Sequence, residues 1–363
     1  MDLLRSCEKM GLGKGYRGMN VCATLHTQDL RASGTGIPAC VPVLSGRLRR
    51  RDWLIGSAGA AALAGCARRP KPGAEPQVSI VRASGYTQDL YATVRRILAE
   101  HRVEVRGKRV VLKPNLVEFD PETVINTHPG LVHAVLEAFR ASGAAEVRIA
   151  EGPGNRRGTL DLAEGAGYFE AIPGFEEVFT DLNLDETSRI RLPRPSSRLD
   201  SLYLPHTALA ADLLVSMPKM KTHRWAGATL GMKNLFGLVP GGIYGWPKNV
   251  LHWAGIDESI ADLQRVFERV FTIVDGIVGM EGNGPIQGKA KAAGVIVAGS
   301  DRVAVDATCC RIMRIDPRKV RYLKLVESLG QTEEENVRQI GEPVKSVQTA
   351  FELIPEFARL RLS

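Results

Sequence analysis

The sequence predicts an α/β fold: a largely parallel sheet covered by helices on both faces, with glycine-rich loops at the carboxyl ends of the strands. Two observations predict it. From residue 78 onward, short apolar runs alternate with segments of helical period. Five of the apolar runs deliver a polar or ionisable group at the same end, and two glycine-rich stretches follow such ends. Alternating strands and helices build parallel sheets, because each crossover helix covers a sheet face.

The elements follow in order. VSIVRA (78–83) reads as a strand, and QDLYATVRRILAEH (88–101) as a helix by its apolar period. KRVVLKPNLV (108–117) is rich in β-branched residues and reads as a strand. HPGLVHAVLEAFRASGA (128–144) is a helix with Gly143 near its end, and EVRIAEG (146–152) is the next strand. An irregular stretch leads to the strand DLLVSMPKMK (212–221). DESIADLQRVFERV (257–270) is strongly amphipathic, FTIVDGIVG and GVIVAGS are apolar strands, and RVAVDATCCRIM and VRYLKLVESLG are again helical. No internal boundary interrupts this series. Residues 78–345 read as a single α/β domain and 346–363 as a C-terminal tail.

The N-terminal region reads as an address. In RLRRRDWLIGSAGAAALAGCARRP, a basic segment precedes a short Gly/Ala-rich apolar run and then small residues before a cysteine. The run Trp53 to Gly65 is too short for a spanning helix. Arg50-Arg51-Asp52-Trp53-Leu54 resembles a twin-arginine pattern, and Leu63-Ala64-Gly65-Cys66 a bacterial lipobox. The expectation is a leader over 1–45, an export signal over 46–66, lipidation at Cys66 and a tether over 67–77. Such a protein would be an exported, membrane-anchored lipoprotein on the periplasmic or extracellular side.

Charge and cysteine content narrow the function classes. The chain has 363 residues and a formal net charge of +8. Residues 1–66 hold nine Lys/Arg and four Asp/Glu, so the body carries a surplus of only three. A near-balanced body lacks the wide basic surface of a nucleic-acid binder. Of six cysteines, only the adjacent Cys309 and Cys310 fall beyond Cys66, without a C-x-x-C. No iron–sulfur cluster or structural zinc is expected in this chain, and the pair reads as core packing.

In open α/β sheets ligands bind outside the carboxyl ends of the strands. The runs there lead into Lys113-Pro114-Asn115, Glu151-Gly152, the series Lys219, Lys221, His223, then Asp275-Gly276, and Asp301. Side chains two apart on a strand share a face, so Lys219, Lys221 and His223 should point together. Between Asp212 and Asp257 lie 44 residues without one Asp or Glu. The same stretch holds Lys219, Lys221, Arg224, Lys233, Lys248, His223, His252 and three tryptophans. Positive potential beside aromatic surface suits a small anionic ligand with a planar part. Clustered lysines depress each other's pKa, and a histidine among them should titrate low and serve as a neutral acid or base. Asp275, Glu281 and Glu151 are the nearest counter-charges, general bases or metal ligands. No spacing among them demands a metal, and none is assigned.

VVLKPNLV, THPGLVHAVLEAFRASGAAEVRIAEGP, LLVSMPKMKTHRWAGATLGMKNLFG, DGIVGMEGNGP and AGSDRVAVDATCCRIM together resemble the domain of unknown function 362 family, over about residues 78–330. The corresponding positions are Lys113, Asn115, Lys219, Lys221, His223, Lys233, Asn234, Glu281, Asp301 and Asp306. Many members also carry a ferredoxin-like segment with four-cysteine clusters, which this sequence lacks. A separate ferredoxin-like protein therefore stays open as a redox partner, and the cofactor is unknown.

The functional expectation is an exported lipid-anchored enzyme acting on a small anion, either redox-linked or by simple acid–base chemistry. Its catalytic candidates are His223, Lys221 and Asp275. Its substrate-binding candidates are Lys113, Asn115, Lys219, Lys233, Asn234 and Glu281. The alternative is a non-catalytic lipoprotein that captures an anion or cofactor.

Overall fold

The strands and helices expected from the sequence occur in their expected order, within twelve strands in all among the described residues. The structure is a computed structural model, and it describes residues 75–155 and 157–363. The leader, the export signal with Cys66, and the tether up to residue 74 lie outside the described residues.

The strands are β1 (Gln77–Arg82), β2 (Arg109–Pro114), β3 (Glu146–Glu151), β4 (Phe179–Asp181), β5 (Thr187–Arg191), β6 (Ser201–Pro205), β7 (Leu213–Met217), β8 (Lys219–His223), β9 (Gly227–Thr229), β10 (Val270–Asn283), β11 (Gln287–Gly299) and β12 (Arg338–Gly341). Ten form one sheet, whose main path runs β12-β1-β11-β10-β7-β2-β3-β4, while β5 and β6 pair separately. β2 pairs in parallel with β3 and β7, β3 with β4, β7 and β8 with β10, and β1 with β12. β11 is antiparallel to both β1 and β10.

The pleat sorts the core onto two faces. Val110 and Leu112 of β2 join a core with helices Leu90–Glu100 and Pro129–Ala141, while Val111 joins the core on the opposite face. That second core takes in helices Ile256–Val266 and Arg302–Ile312, including the fully buried free thiols Cys309 and Cys310. Helix starts are fixed locally: Asp89 accepts from Ala92 N at 2.8 Å, and His128, followed by Pro129, accepts from Gly130 N at 3.1 Å.

Four features depart from the sequence reading. The run 212–221 is two strands, because Pro218 has no N–H to give the ladder. Past Pro218 the chain leaves β2 and stays on β10, with Lys219 opposite Asp275 and Lys221 opposite Met280. β10 does not end at Gly279; it runs on to Asn283 and returns as β11 in one long hairpin. Because β11 is antiparallel, Asp301 emerges at the other edge of the sheet and caps helix Arg302–Ile312, accepting from Val303 N and Ala304 N. Residues 346–363, set apart in the sequence as a tail, pack on the body: Phe351 is fully buried and Arg361 pairs with Ile315. Among the described residues no helix is long and apolar enough to cross a membrane.

Candidate functional site

A cleft of about 180 Å³ opens at the carboxyl ends of β2, β3 and β8. Each wall has a local origin. β2 ends in Lys113 and the chain turns at Pro114 to present Asn115; β3 ends in Glu151-Gly152. β8 presents Lys221 and His223. Helix Gly231–Asn234 brings Lys233 and Asn234, and helix Asn249–Trp253, entered from Lys248, brings His252. The tip of the β10–β11 hairpin closes one side with Pro285 and Ile286.

The glycine-rich loop is held in place by buried polar contacts. Asp306, inside helix Arg302–Ile312, accepts from Gly231 N at 2.8 Å and Met232 N at 3.1 Å. Asn234 donates to Lys113 O at 3.0 Å and Ser216 Oγ at 3.1 Å, locking the short helix to β2 and β7. Gly237 lets the backbone pass directly over the Lys113–Glu151 pair, where a Cβ would overlap both charged groups.

The lysines divide by their partners. Lys113, fully buried, forms an ion pair with Glu151 and also reaches Pro114 O at 2.8 Å and Asn234 Oδ1 at 3.3 Å. The Glu151 carboxylate is further held by Leu116 N at 3.1 Å and Gly152 N at 2.9 Å. Lys221, also fully buried, meets no carboxylate and donates to Ile125 O at 2.9 Å and Pro285 O at 3.3 Å. Lys248 donates to Gly152 O at 2.5 Å and Phe236 O at 2.9 Å. Lys233, half-buried, rests its Nζ 3.8 Å from the centre of the Phe236 ring.

Burial sets their titration. It lowers Lys113 against the pull of Glu151, and it pushes Lys221 well below the usual lysine range with help from Lys219 and Lys233. Burial, with Lys113 next, brings Lys233 down to about 7. Lys248 also falls to about 7, by burial against the opposing pull of Glu151. The empty cleft therefore holds less positive charge at neutral pH than its count of lysines suggests.

The two histidines present opposite hydrogen-bonding edges. His223 Nδ1 accepts from Trp225 N at 3.1 Å and Ala226 N at 3.2 Å, so the proton of the neutral ring sits on Nε2. His252 Nδ1 lies 3.0 Å from Lys248 O and must donate to it, which leaves Nε2 as a free lone pair. Burial, then the Lys233 charge, holds His223 well below its ordinary value and brings His252 to about 4. Both rings are neutral at physiological pH, one an N–H donor and the other an acceptor.

Three buried polar atoms in this cleft have no partner: Asn115 Oδ1, Thr229 Oγ1 and Arg224 Nε. Buried polar groups are almost always paired, so unpartnered atoms on three residues that line one cleft mark its wall as a candidate binding surface. Arg224 also lies 4.6 Å from the centre of the Trp225 ring.

Of the residues expected from the sequence, the structure brings Lys113, Asn115, Lys221, His223, Lys233 and Asn234 to this cleft. Lys219, Asp275 and Glu281 stand elsewhere. Lys219 shares the strand of Lys221 but pairs with Asp275 at 2.6 Å. Asp275 accepts two bonds on each oxygen: Oδ2 from Lys219 and from His128 N at 2.9 Å, Oδ1 from Tyr86 OH at 2.8 Å and from Ile277 N at 3.3 Å. A carboxylate with its lone pairs occupied is a structural anchor, not a general base. Glu281 lies along the hairpin arm, 3.2 Å from Lys291, and accepts from Glu352 N. Sequence reasoning left Arg224, Thr229, Lys248 and His252 out of the site, although all four stand in the acid-free stretch that marks this region. Among the described residues no group of three His, Cys, Asp or Glu is placed to hold a metal.

Comparison with known proteins agrees with the motifs. Residues 110–311 match the family described as Domain of unknown function (DUF362). The chain is 30% identical over 269 residues to the Thylakoid-associated protein sll1697 of Synechocystis sp., covering 70% of this chain and 79% of that protein. Among solved structures, the lactate racemase apoprotein of Thermoanaerobacterium thermosaccharolyticum aligns with a TM-score of 0.43 and 16% identity, over 66% of this chain and 57% of that one. A Thermotoga maritima protein aligns with a TM-score of 0.41 and 14% identity, over 63% and 59%. The chain thus spans less than two thirds of either of these two proteins. The chain belongs to the DUF362 family.

Proposed function

We propose that this member of the DUF362 family is an enzyme that binds a small anion in the cleft and moves a proton on it. The single observation that carries the reading is the set of unpartnered buried atoms, Asn115 Oδ1, Thr229 Oγ1 and Arg224 Nε, on residues lining a cleft also lined by Lys113, Lys221, Lys233 and Lys248. The Arg224 fork suits a carboxylate or phosphate. An entering anion raises the pKa of the depressed lysines, so the site acquires its positive charge as it fills. His223 Nε2–H then acts as acid and His252 Nε2 as base. A pure binding module has no use for two histidines fixed in opposite tautomers, and that favours catalysis over capture.

Native mass spectrometry of protein purified from an exporting host tests the reading. The expected result is a retained small anion that is lost in Arg224→Met. Protein that never retains an anion, and that gives no heat with sulfate or acetate in calorimetry, would sink it.

The address is part of the same proposal: export by a twin-arginine signal and acylation at Cys66. The relative's description as thylakoid-associated supports a membrane setting. Cys66→Ser should release the protein from membranes; a chain that stays bound after this change refutes the anchor.

A further inference from the structure

We propose that Lys233 is a covalent nucleophile, and that the anion of this site carries an aldehyde or ketone with which Lys233 forms a Schiff base. The inference rests on the anion-binding reading and adds the substrate class to it.

The contrast with the buried lysines points to Lys233. Lys113 holds Glu151, Lys219 holds Asp275, Lys221 donates to two carbonyls and so does Lys248. Among the described residues, Lys233 Nζ alone of these has no protein oxygen to donate to; half-buried, it rests on the face of Phe236. The Phe236 face favours the charged amine, but a lysine withdrawn from water beside other cationic groups loses its proton readily, which is the setting that makes an amine nucleophilic. Its value of about 7 agrees, with burial as the main cause and Lys113 next. The Phe236 ring on which the amine rests lies 5.7 Å, centre to centre, from the His252 ring, and His223 lines the same cleft.

The chemistry closes on the groups present. The neutral Lys233 Nζ attacks the carbonyl carbon; a C–N bond forms as the C=O π bond breaks. The oxygen takes the proton of His223 Nε2. His252 Nε2 accepts the proton released from the nitrogen. The resulting hydroxyl leaves as water when His252 returns its proton to it and the nitrogen lone pair forms C=N; solvent then restores the Nε2 proton of His223. Amine, carbonyl and one proton give a protonated imine and one water. Arg224 holds the anionic end, and the orphan Asn115 Oδ1 accepts from a substrate hydroxyl or from the iminium N–H.

The experiment is reductive trapping of the full chain with borohydride in the presence of glyoxylate or pyruvate, followed by peptide mapping. Surface lysines have a free-amine fraction smaller than that of Lys233 by a factor on the order of a thousand at pH 7. The expected result is one reduced adduct, on Lys233, with labelling half-maximal near pH 7 and absent in Lys233→Arg. Sulfate binding is measured in parallel. Sulfate binding without a Lys233 adduct from either probe overturns the covalent step and leaves the anion site standing. An adduct on Lys221 or Lys248 with Lys233 untouched, or equal labelling of the surface lysines, also overturns it. Loss of both sulfate binding and adduct overturns both readings.

Discussion

Lys219→Met and Lys221→Met should behave oppositely, although the residues lie two apart on β8 and both are buried. Methionine keeps most of the stem and removes the amine. In Lys219→Met the Asp275 carboxylate loses its 2.6 Å partner and keeps only neutral donors, Tyr86 OH and the amides of His128 and Ile277. Removing one member of a buried ion pair costs about 3–5 kcal/mol. In Lys221→Met no carboxylate is stranded. Two carbonyls, Ile125 O and Pro285 O, lose a donor, at about 0.5–1.5 kcal/mol each. Removing a desolvated amine that is repelled by Lys219 and Lys233 offsets part of this, so the net loss is about 1 kcal/mol or less. Binding should order the pair the other way. Losing one charge-assisted contact in Lys221→Met costs about 1.5–3 kcal/mol, or roughly tenfold to a hundredfold in sulfate affinity. Lys219→Met should leave affinity near normal in whatever fraction stays folded. Guanidinium unfolding of the full chain gives the stabilities and calorimetry the affinities. Equal stability losses, or a Lys221→Met protein that unfolds while its binding is intact, would refute the division of the two lysines into anchor and site.

Two further predictions follow from buried charge. Gly237→Ala places a methyl group into the Lys113–Glu151 pair, and should cost at least the about 3 kcal/mol of a broken buried ion pair, read as an earlier guanidinium midpoint. Lys233 and Lys248 titrate near 7 in the folded protein against 10.5 unfolded. Between those values the unfolded chain binds protons that the native state does not, so stability should rise with pH from about 7 to about 10.5. Replacing both by Met should flatten that rise; an unchanged slope would show that these amines are protonated in the empty cleft.

Much of the fold and the centre of the site were legible in the sequence. The alternating pattern predicts the order of β1, β2, β3, β7 and their helices, because buried parallel strands leave continuous apolar runs. The acid-free stretch 213–256 marks the cationic wall, since carboxylates there would quench it. What failed depends on partners distant in sequence. That Asp275 belongs to Lys219 follows from the register of β8 on β10, which no local pattern states. The continuation of β10 past Gly279 to Asn283 is hidden by the glycines around Glu281, which break the apolar pattern that marks the strand before them. Period two placed Lys219 and Lys221 on one face, yet only Lys221 reaches the cleft, because Lys219 is drawn to Asp275 and Tyr86. The tautomers of His223 and His252 come from backbone contacts that exist only once the loops have folded.

The central claim is that the cleft is an anion site that gains its charge on binding. Calorimetric titration of sulfate and acetate at pH 8, in buffers of different ionisation enthalpy, tests it most directly, since neither anion itself titrates there. Lys233 and Lys248, near 7 when the cleft is empty, are mostly neutral at that pH. A bound anion raises them, so the account predicts net proton uptake at pH 8 that shrinks towards pH 6 and is diminished in Lys233→Met. Binding with no proton uptake at pH 8, or no binding of either anion, would contradict it.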